Sequence, residues 1–300
     1  MQTIKGYKYK LIFIITFFIL FCTFTTTVLM AEEPQNISIN KTVLKQGEIL
    51  IIKTSDSNPA FQVIFNNQKH VFNIYNNKKI ALIPISYWTN TGNYTIVINS
   101  NNNTIEKDIK ITSGNFDNSY LEVDKEQEEL VRPENKETVK RKKEDQQLVN
   151  KARNTSSKDK LWTGKFIWPV EGIVSTDFGA TRYVNGSLQS RHSGIDIACE
   201  KGKNISATNT GVVRLANNLL VTGNTIIIDH GWNVFSSYSH LSKINVEVGE
   251  KVNKGQKIGE IGSTGFSTGP HLHWTITIGR VFINPRRFIE EDLLKLENNQ

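Results

Sequence analysis

The sequence predicts a mainly β chain: an N-terminal immunoglobulin-like sandwich, a charged helical linker and a C-terminal antiparallel β domain. Three observations predict it. Short apolar or alternating runs broken by Asn and Gly turn formers extend from Asn36 to about Thr112. A stretch crowded with Glu, Lys, Arg, Gln and Asn follows, almost without aromatic residues. From Phe166 the apolar alternation returns with many glycines, as in Thr225–Asp229, Val234–Tyr238 and Trp274–Ile278.

At the N-terminus, Lys5, Lys8 and Lys10 precede an uncharged apolar run from Leu11 to Phe24 that continues to Met30 and Ala31. A basic stretch, an apolar stretch and a small residue before acidic Glu32 and Glu33 read as an export signal in residues 1–31. With about 20 uncharged residues, segment 11–31 is also long enough to be retained as a membrane anchor. In both readings the lysines stay inside and everything after Ala31 is exported to the cell envelope or beyond. Export removes nucleic acid as a partner for the formal net charge of +7 and leaves anionic envelope material.

The sandwich is expected over residues 32–115, with runs such as Glu48–Thr54, Ala60–Phe65, Lys79–Pro84, Tyr94–Ser100 and Thr104–Thr112. It carries one histidine, His70, read as structural, and its protein partner is unspecified. Residues 116–163 read as a solvated, partly helical linker, with Pro133-Glu134 opening a helix. Residues 164–290 form the C-terminal domain and 291–300 a tail. Of the two cysteines, Cys22 lies in the apolar run, so no disulfide framework holds the exported part, and Cys199 reads as a small buried hydrophobe.

The chemistry concentrates in the C-terminal domain. His192-Ser193-Gly194-Ile195-Asp196 offers an imidazole and a carboxylate, both ligand types that zinc accepts. In Gly269-Pro270-His271-Leu272-His273-Trp274, the two imidazoles share one side of a strand while Leu272 faces the core. His240 follows Tyr238-Ser239 at a strand end, and His230 reads as a strand terminus outside the set. A catalytic zinc needs three protein ligands and an open position. His192, Asp196 and one of His271 and His273 would supply them, leaving the remaining histidines for acid–base work. No Gly-x-Ser-x-Gly elbow competes, and Gly262–Gly269 lacks the lysine of a phosphate loop.

Phe178-Gly179, His192–Asp196, Tyr238-Ser239-His240-Leu241, Gly265-x-Ser267-Thr268-Gly269-Pro270-His271-Leu272-His273 and Asn284-Pro285 together resemble the lysostaphin/LytM-type zinc metallopeptidases. The resemblance implies that His192, Asp196 and His273 bind one Zn2+ and that His240 and His271 line the reaction centre. It implies a peptidoglycan peptide as substrate, lying between the Tyr183–Arg191 segment and the Gly262–Gly269 loop. Arg182 would match a substrate-facing arginine, with a plain surface arginine as the alternative, and Tyr238 would join it as a substrate contact. Relatives that have lost zinc ligands serve as regulators or scaffolds; here every ligand position is filled. Cys199-Glu200 departs from the Ala-Pro common in the family, which predicts an altered loop beyond Asp196.

Overall fold

The computed structural model describes residues 37–55, 61–99 and 104–295. The N-terminal strands are β1 (Ile37–Ile39), β2 (Val43–Lys45), β3 (Ile49–Thr54), β4 (Gln62–Phe65), β5 (Gln68–Val71), β6 (Asn73–Tyr75), β7 (Lys78–Pro84), β8 (Gly92–Asn99) and β9 (Thr104–Thr112). They form a β1-β3-β7-β6 sheet and a β2-β9-β8-β4-β5 sheet. The two share a core that includes Leu44, Leu50, Ile52, Val63, Ile83, Ile96 and Ile111.

β3 is buried along its whole length, and the reason lies in its two faces. Leu50 and Ile52 enter the sandwich core, whereas Ile49 and Ile51 join Ile80, Leu82 and Tyr87 in the core of the C-terminal part. A strand covered on both faces reads as a continuous apolar run rather than an alternation. The sandwich is therefore built onto its neighbour.

The linker follows with β10 (Asn118–Leu121), α1 (Lys125–Val131) and α2 (Lys136–Arg153). Asp124 caps α1 by accepting from Gln127 N–H, and Asn135 caps α2 by accepting from Glu137 N–H. The expected solvated linker is instead packed. β10 runs parallel to a later strand over Asn118–Leu121, and Val149 and Ala152 of α2 lie against Leu215, Leu219, Ile227 and Phe235. The sequence shows few apolar points here because a single helical stripe suffices for that contact.

The C-terminal part comprises β11 (Ile173–Thr176), β12 (Thr181–Val184), β13 (Ser187–Arg191), β14 (Ile195–Ala198), β15 (Asn204–Ser206), β16 (Gly211–Leu219), β17 (Gly223–Asp229), β18 (Val234–Ile244), β19 (Lys251–Val252), β20 (Lys257–Ile261), β21 (His271–Ile278), β22 (Val281–Ile283) and α3 (Arg286–Glu290). Its main sheet has the order β11-β14-β21-β18-β17-β16-β19. One face carries Ile197, Ile226, Ile228, Tyr238, Leu272, Trp274 and Ile276 into the core. Packing there extends beyond the expected boundaries: Trp162 and Leu293 both belong to this core, and Lys53 Nζ donates to Leu294 O at 2.8 Å. The span 164–290 thus omits two of its own core side chains. The N-terminal signal or anchor segment lies outside the described residues, and among the described residues no helix is long and apolar enough to cross a membrane.

His230 sits in this core, away from the other C-terminal histidines. Its Nδ1–H donates to Thr210 O at 2.8 Å and its Nε2 lies 2.8 Å from Ser236 Oγ. Burial pushes its pKa down to about 4, and the Thr210 bond and Asp229 charge oppose that only in part. The unfolded imidazole titrates near 6.5, so between these values the unfolded chain holds the extra proton. His230 therefore costs nothing above pH 6.5 and destabilises progressively as pH falls toward 4, by up to about 3 kcal/mol. Urea unfolding across this window is expected to give a shallower loss in His230→Gln than in the unaltered chain. Equal slopes would contradict the assignment.

Candidate metal centre

Antiparallel pairing sets Asp196 of β14 directly opposite His273 of β21. Since strand side chains alternate, His271 and His273 face away from the core that takes Leu272 and Trp274. His192 precedes β14, held by its backbone: its N–H donates to Ala180 O at 2.7 Å, and its carbonyl accepts from Gly179 N–H at 2.8 Å. Gly194 makes this approach feasible, because a Cβ there would lie 2.2 Å from Trp274 O.

Three ligand atoms meet as a result. His192 Nε2 lies 2.9 Å from Asp196 Oδ1 and 3.0 Å from His273 Nδ1, which is 2.7 Å from the same carboxylate oxygen. All three side chains are buried. His192 Nδ1 donates to Asp177 O at 2.8 Å, so in the neutral ring Nε2 carries a lone pair. Three electron-rich atoms converge with at most one shared proton, an arrangement that a cation stabilises. Bond lengths of about 2.0–2.1 Å in a tetrahedral zinc site place ligand atoms roughly 3.3 Å apart, so the group fits after an outward shift of a few tenths of an ångström.

Burial alone would raise the Asp196 carboxyl, yet the hydrogen bonds and charges of His192 and His273 hold it well below the usual range. Burial pushes His273 down to about 4 against the pull of Asp196, with the His192 and Arg182 charges adding to the depression. Asp196 and His273 therefore stay deprotonated at neutral pH, as metal ligands must be.

Two more imidazoles complete the site. His240 and His271 have ring centres 4.7 Å apart, and His240 lies 6.0 Å from His273. His240 Nδ1–H donates to Thr264 O at 2.7 Å, and His271 Nδ1–H to Gly269 O at 2.8 Å. With Nδ1 occupied, Nε2 is the basic atom of each ring. Burial, then the neighbouring His271 and His273, bring the His240 pKa down to about 3. His240 has φ of +64°, a costly region for a side-chain-bearing residue. The pairing of β17 and β18 shifts register between Asn224 and Ile226, opposite Leu241 and Tyr238. That bulge re-aims His240, which a regular strand would turn toward the core with Tyr238.

The two expected substrate contacts are placed differently. Tyr238 is fully buried; its hydroxyl accepts from Thr208 N–H at 2.9 Å and lies 2.9 Å from Ser236 Oγ. It cannot touch a substrate, because alternation along β18 turns it into the core. Arg182 Nη2 instead donates to Asp196 Oδ2 at 3.0 Å, so this side chain braces the triad's carboxylate. The sequence does not announce this bond, nor the carbonyls of Asp177, Thr264 and Gly269 that fix the imidazoles, since backbone acceptors leave no residue signature.

The expected walls of the groove are spanned by α1. Arg132 donates to Gln189 Oε1 at 2.9 Å and to Ser187 O at 2.9 Å on the β12–β13 hairpin. On the other wall, Ser267 N–H donates to Gln127 Oε1 at 3.3 Å.

A mainly antiparallel sheet carrying a His–Asp–His group and two flanking imidazoles fits the resemblance to lysostaphin/LytM-type peptidases that the sequence motifs carry. Residues 190–285 match peptidase family M23, and the chain carries a domain of that family. Peptidoglycan DD-endopeptidase ShyA of Vibrio cholerae is 42% identical over 87 residues, covering 29% of this chain and 20% of that protein. Murein hydrolase activator NlpD of Escherichia coli is 39% identical over 125 residues, covering 41% of this chain and 31% of that protein. The matched region thus spans a third or less of either relative's length. The crystal structure of a Pseudomonas aeruginosa protein assigned to peptidase M23 superposes with a TM-score of 0.62 at 25% identity, covering 83% of this chain and 95% of that one.

Proposed function

We propose that the chain is an exported zinc endopeptidase that hydrolyses peptide bonds in bacterial peptidoglycan. The observation that carries this reading is the meeting of His192 Nε2, Asp196 Oδ1 and His273 Nδ1 within 3.0 Å of one another, beside two imidazoles with free Nε2 atoms. Zinc held by that triad would supply Lewis acidity, polarising a scissile carbonyl and making water acidic enough to react near neutral pH.

The chain's own residues do the remaining work. His240 Nε2 or His271 Nε2 accepts the proton of the attacking water. The ring that has taken this proton then carries Nε2–H, with which it donates to the oxygen where negative charge develops or passes the proton on to the leaving amine. Carbonyls of Thr264 and Gly269 hold both rings in the tautomer this requires. Arg182 occupies Asp196 Oδ2 and leaves Oδ1 to face the two histidines. Arg182→Gln is therefore expected to weaken zinc binding about 10–100-fold, the usual cost of losing an orienting partner. Competition with a calibrated chelator measures this, and unchanged affinity would remove Arg182 from the site.

Export rests on the basic and apolar N-terminal segment; the substrate class rests on the M23 domain and the likeness to ShyA. The likeness to NlpD favours a second reading, a non-catalytic activator of other wall hydrolases. Digestion of purified peptidoglycan by the full chain, with and without chelator, separates the two. The enzyme is expected to release soluble fragments in a chelator-sensitive manner, whereas intact peptidoglycan beside a zinc-loaded chain would favour the activator.

A further inference from the structure

The face of the sheet that bears the triad continues past it. β21 presents His273, Thr275 and Thr277 in succession on that side; β18 sets Ser239 opposite His273, Ser237 opposite Thr275 and Phe235 opposite Thr277. On the far side of β21, Thr277 pairs with Phe282 of β22. The last turn of α2 covers this end. Arg153 stacks on Phe282, with Cζ 5.1 Å from the ring centre, and its Nη2 lies 3.4 Å from Ser237 Oγ.

The polar groups here are left open. Arg153 Nε and the hydroxyls of Thr275 and Thr277 are buried without a hydrogen-bond partner. Arg280, whose Nη2 donates to Asn154 Oδ1 at 3.1 Å, adds a second positive charge close enough to act on Arg153. Among the described residues, neither guanidinium has a carboxylate partner. Each buried polar atom left unpaired costs about 1–3 kcal/mol, and two like charges add repulsion. The helix C-terminus accounts for a cation at position 153 and the Phe282 ring for its stacking. Neither uses Nε, the hydroxyl row or Arg280.

We propose that Arg153, Arg280, Ser237, Thr275 and Thr277 form a carboxylate-binding subsite at the α2-covered end of the groove floor. Nε and Nη2 are the two parallel donors of one guanidinium edge, which matches the two oxygens of a carboxylate. Thr275 lies two residues along β21 from His273, about 6.6 Å. An extended peptide spans about 3.3–3.6 Å per residue, so the carboxylate would belong to a peptide residue about two positions from the scissile bond. The subsite rests on the reading of the chain as a peptide-binding hydrolase and narrows it to peptides bearing a free carboxylate at that distance.

The test compares equilibrium binding of two probes to the zinc-loaded full chain: a soluble stem peptide with a free C-terminal carboxylate and the same peptide as its carboxamide. The carboxylate form is expected to bind about 10-fold or more tightly, the scale of a hydrogen bond to a charged group. Arg153→Gln is expected to bring the ratio to about one, and Arg280→Gln to lower it in part. Thr277→Val, which removes an unpartnered buried hydroxyl and keeps the side-chain shape, is expected to lower the ratio without lowering the melting temperature. Equal binding of the two probes to the unaltered chain, or a preference that survives in Arg153→Gln, would overturn the subsite. Because the readout is binding, a carboxylate preference without hydrolysis would refute the enzyme reading alone, and hydrolysis without preference would refute the subsite alone.

Discussion

His192→Ala, Asp196→Ala and His273→Ala are each expected to strip most of the zinc from the chain and abolish hydrolysis with it. The three ligand atoms lie 2.7–3.0 Å apart, and removing one leaves two ligands and a gap that water fills. The loss should exceed the 10–100-fold cost of disturbing an outer partner. Asp196→Asn is the sharper variant, because it keeps the side-chain shape while removing the site's one ligand charge. The amide would also turn either an NH2 group or a poorer oxygen donor toward two imidazole lone pairs. Elemental analysis of each purified variant, beside the unaltered chain at about one zinc per molecule, measures the effect. Full zinc in His273→Ala with loss in His271→Ala would reverse the choice within the His-x-His pair.

His240→Ala and His271→Ala should behave in the opposite way, keeping zinc while losing activity by about 10²-fold or more, the scale of a positioned acid–base group. Neither ring is within hydrogen-bonding distance of the triad; His271 Nε2 comes no closer than 3.9 Å to Asp196 Oδ1. Each ring is tied by Nδ1 to a carbonyl of the Gly262–Gly269 loop, so alanine removes a proton carrier without unseating a ligand. Melting temperatures serve as the control against general damage. Full activity in His240→Ala would sink the two-imidazole mechanism.

Much of this site was legible in the sequence because its residues obey strand periodicity. His271 and His273 had to share a face, and Leu272 had to oppose them. His240 was legible only through the resemblance, since a bulge and a positive φ place it, and neither follows from alternation. The same alternation, applied to β18, would have put Tyr238 in the core with Trp274 and excluded it as a substrate contact. Arg182 was singled out through the resemblance alone, and no local signal shows that it pairs with Asp196, fourteen residues away, through a hairpin whose register also shifts. The expected linker was the least legible part. Its charged composition masks a narrow stripe, Val149 and Ala152, that packs on the sheet, and nothing in the local pattern shows that β10 pairs with β12. The cover of the sandwich was illegible for a related reason, because the outward residues of β3 and β7 pack against another part of the chain.

The central claim, that zinc at His192, Asp196 and His273 serves peptide-bond hydrolysis in peptidoglycan, meets its most direct test in the chemistry of the products. The zinc-loaded full chain would be incubated with purified peptidoglycan, and the fragments analysed by mass spectrometry together with a count of newly exposed amino groups. Expected are fragments differing by the addition of water across a peptide bond, one new amine for each bond cut, and loss of both signals on chelation with recovery on adding zinc back. New reducing sugar ends without new amines, or no product from a chain shown to carry its zinc, would contradict it.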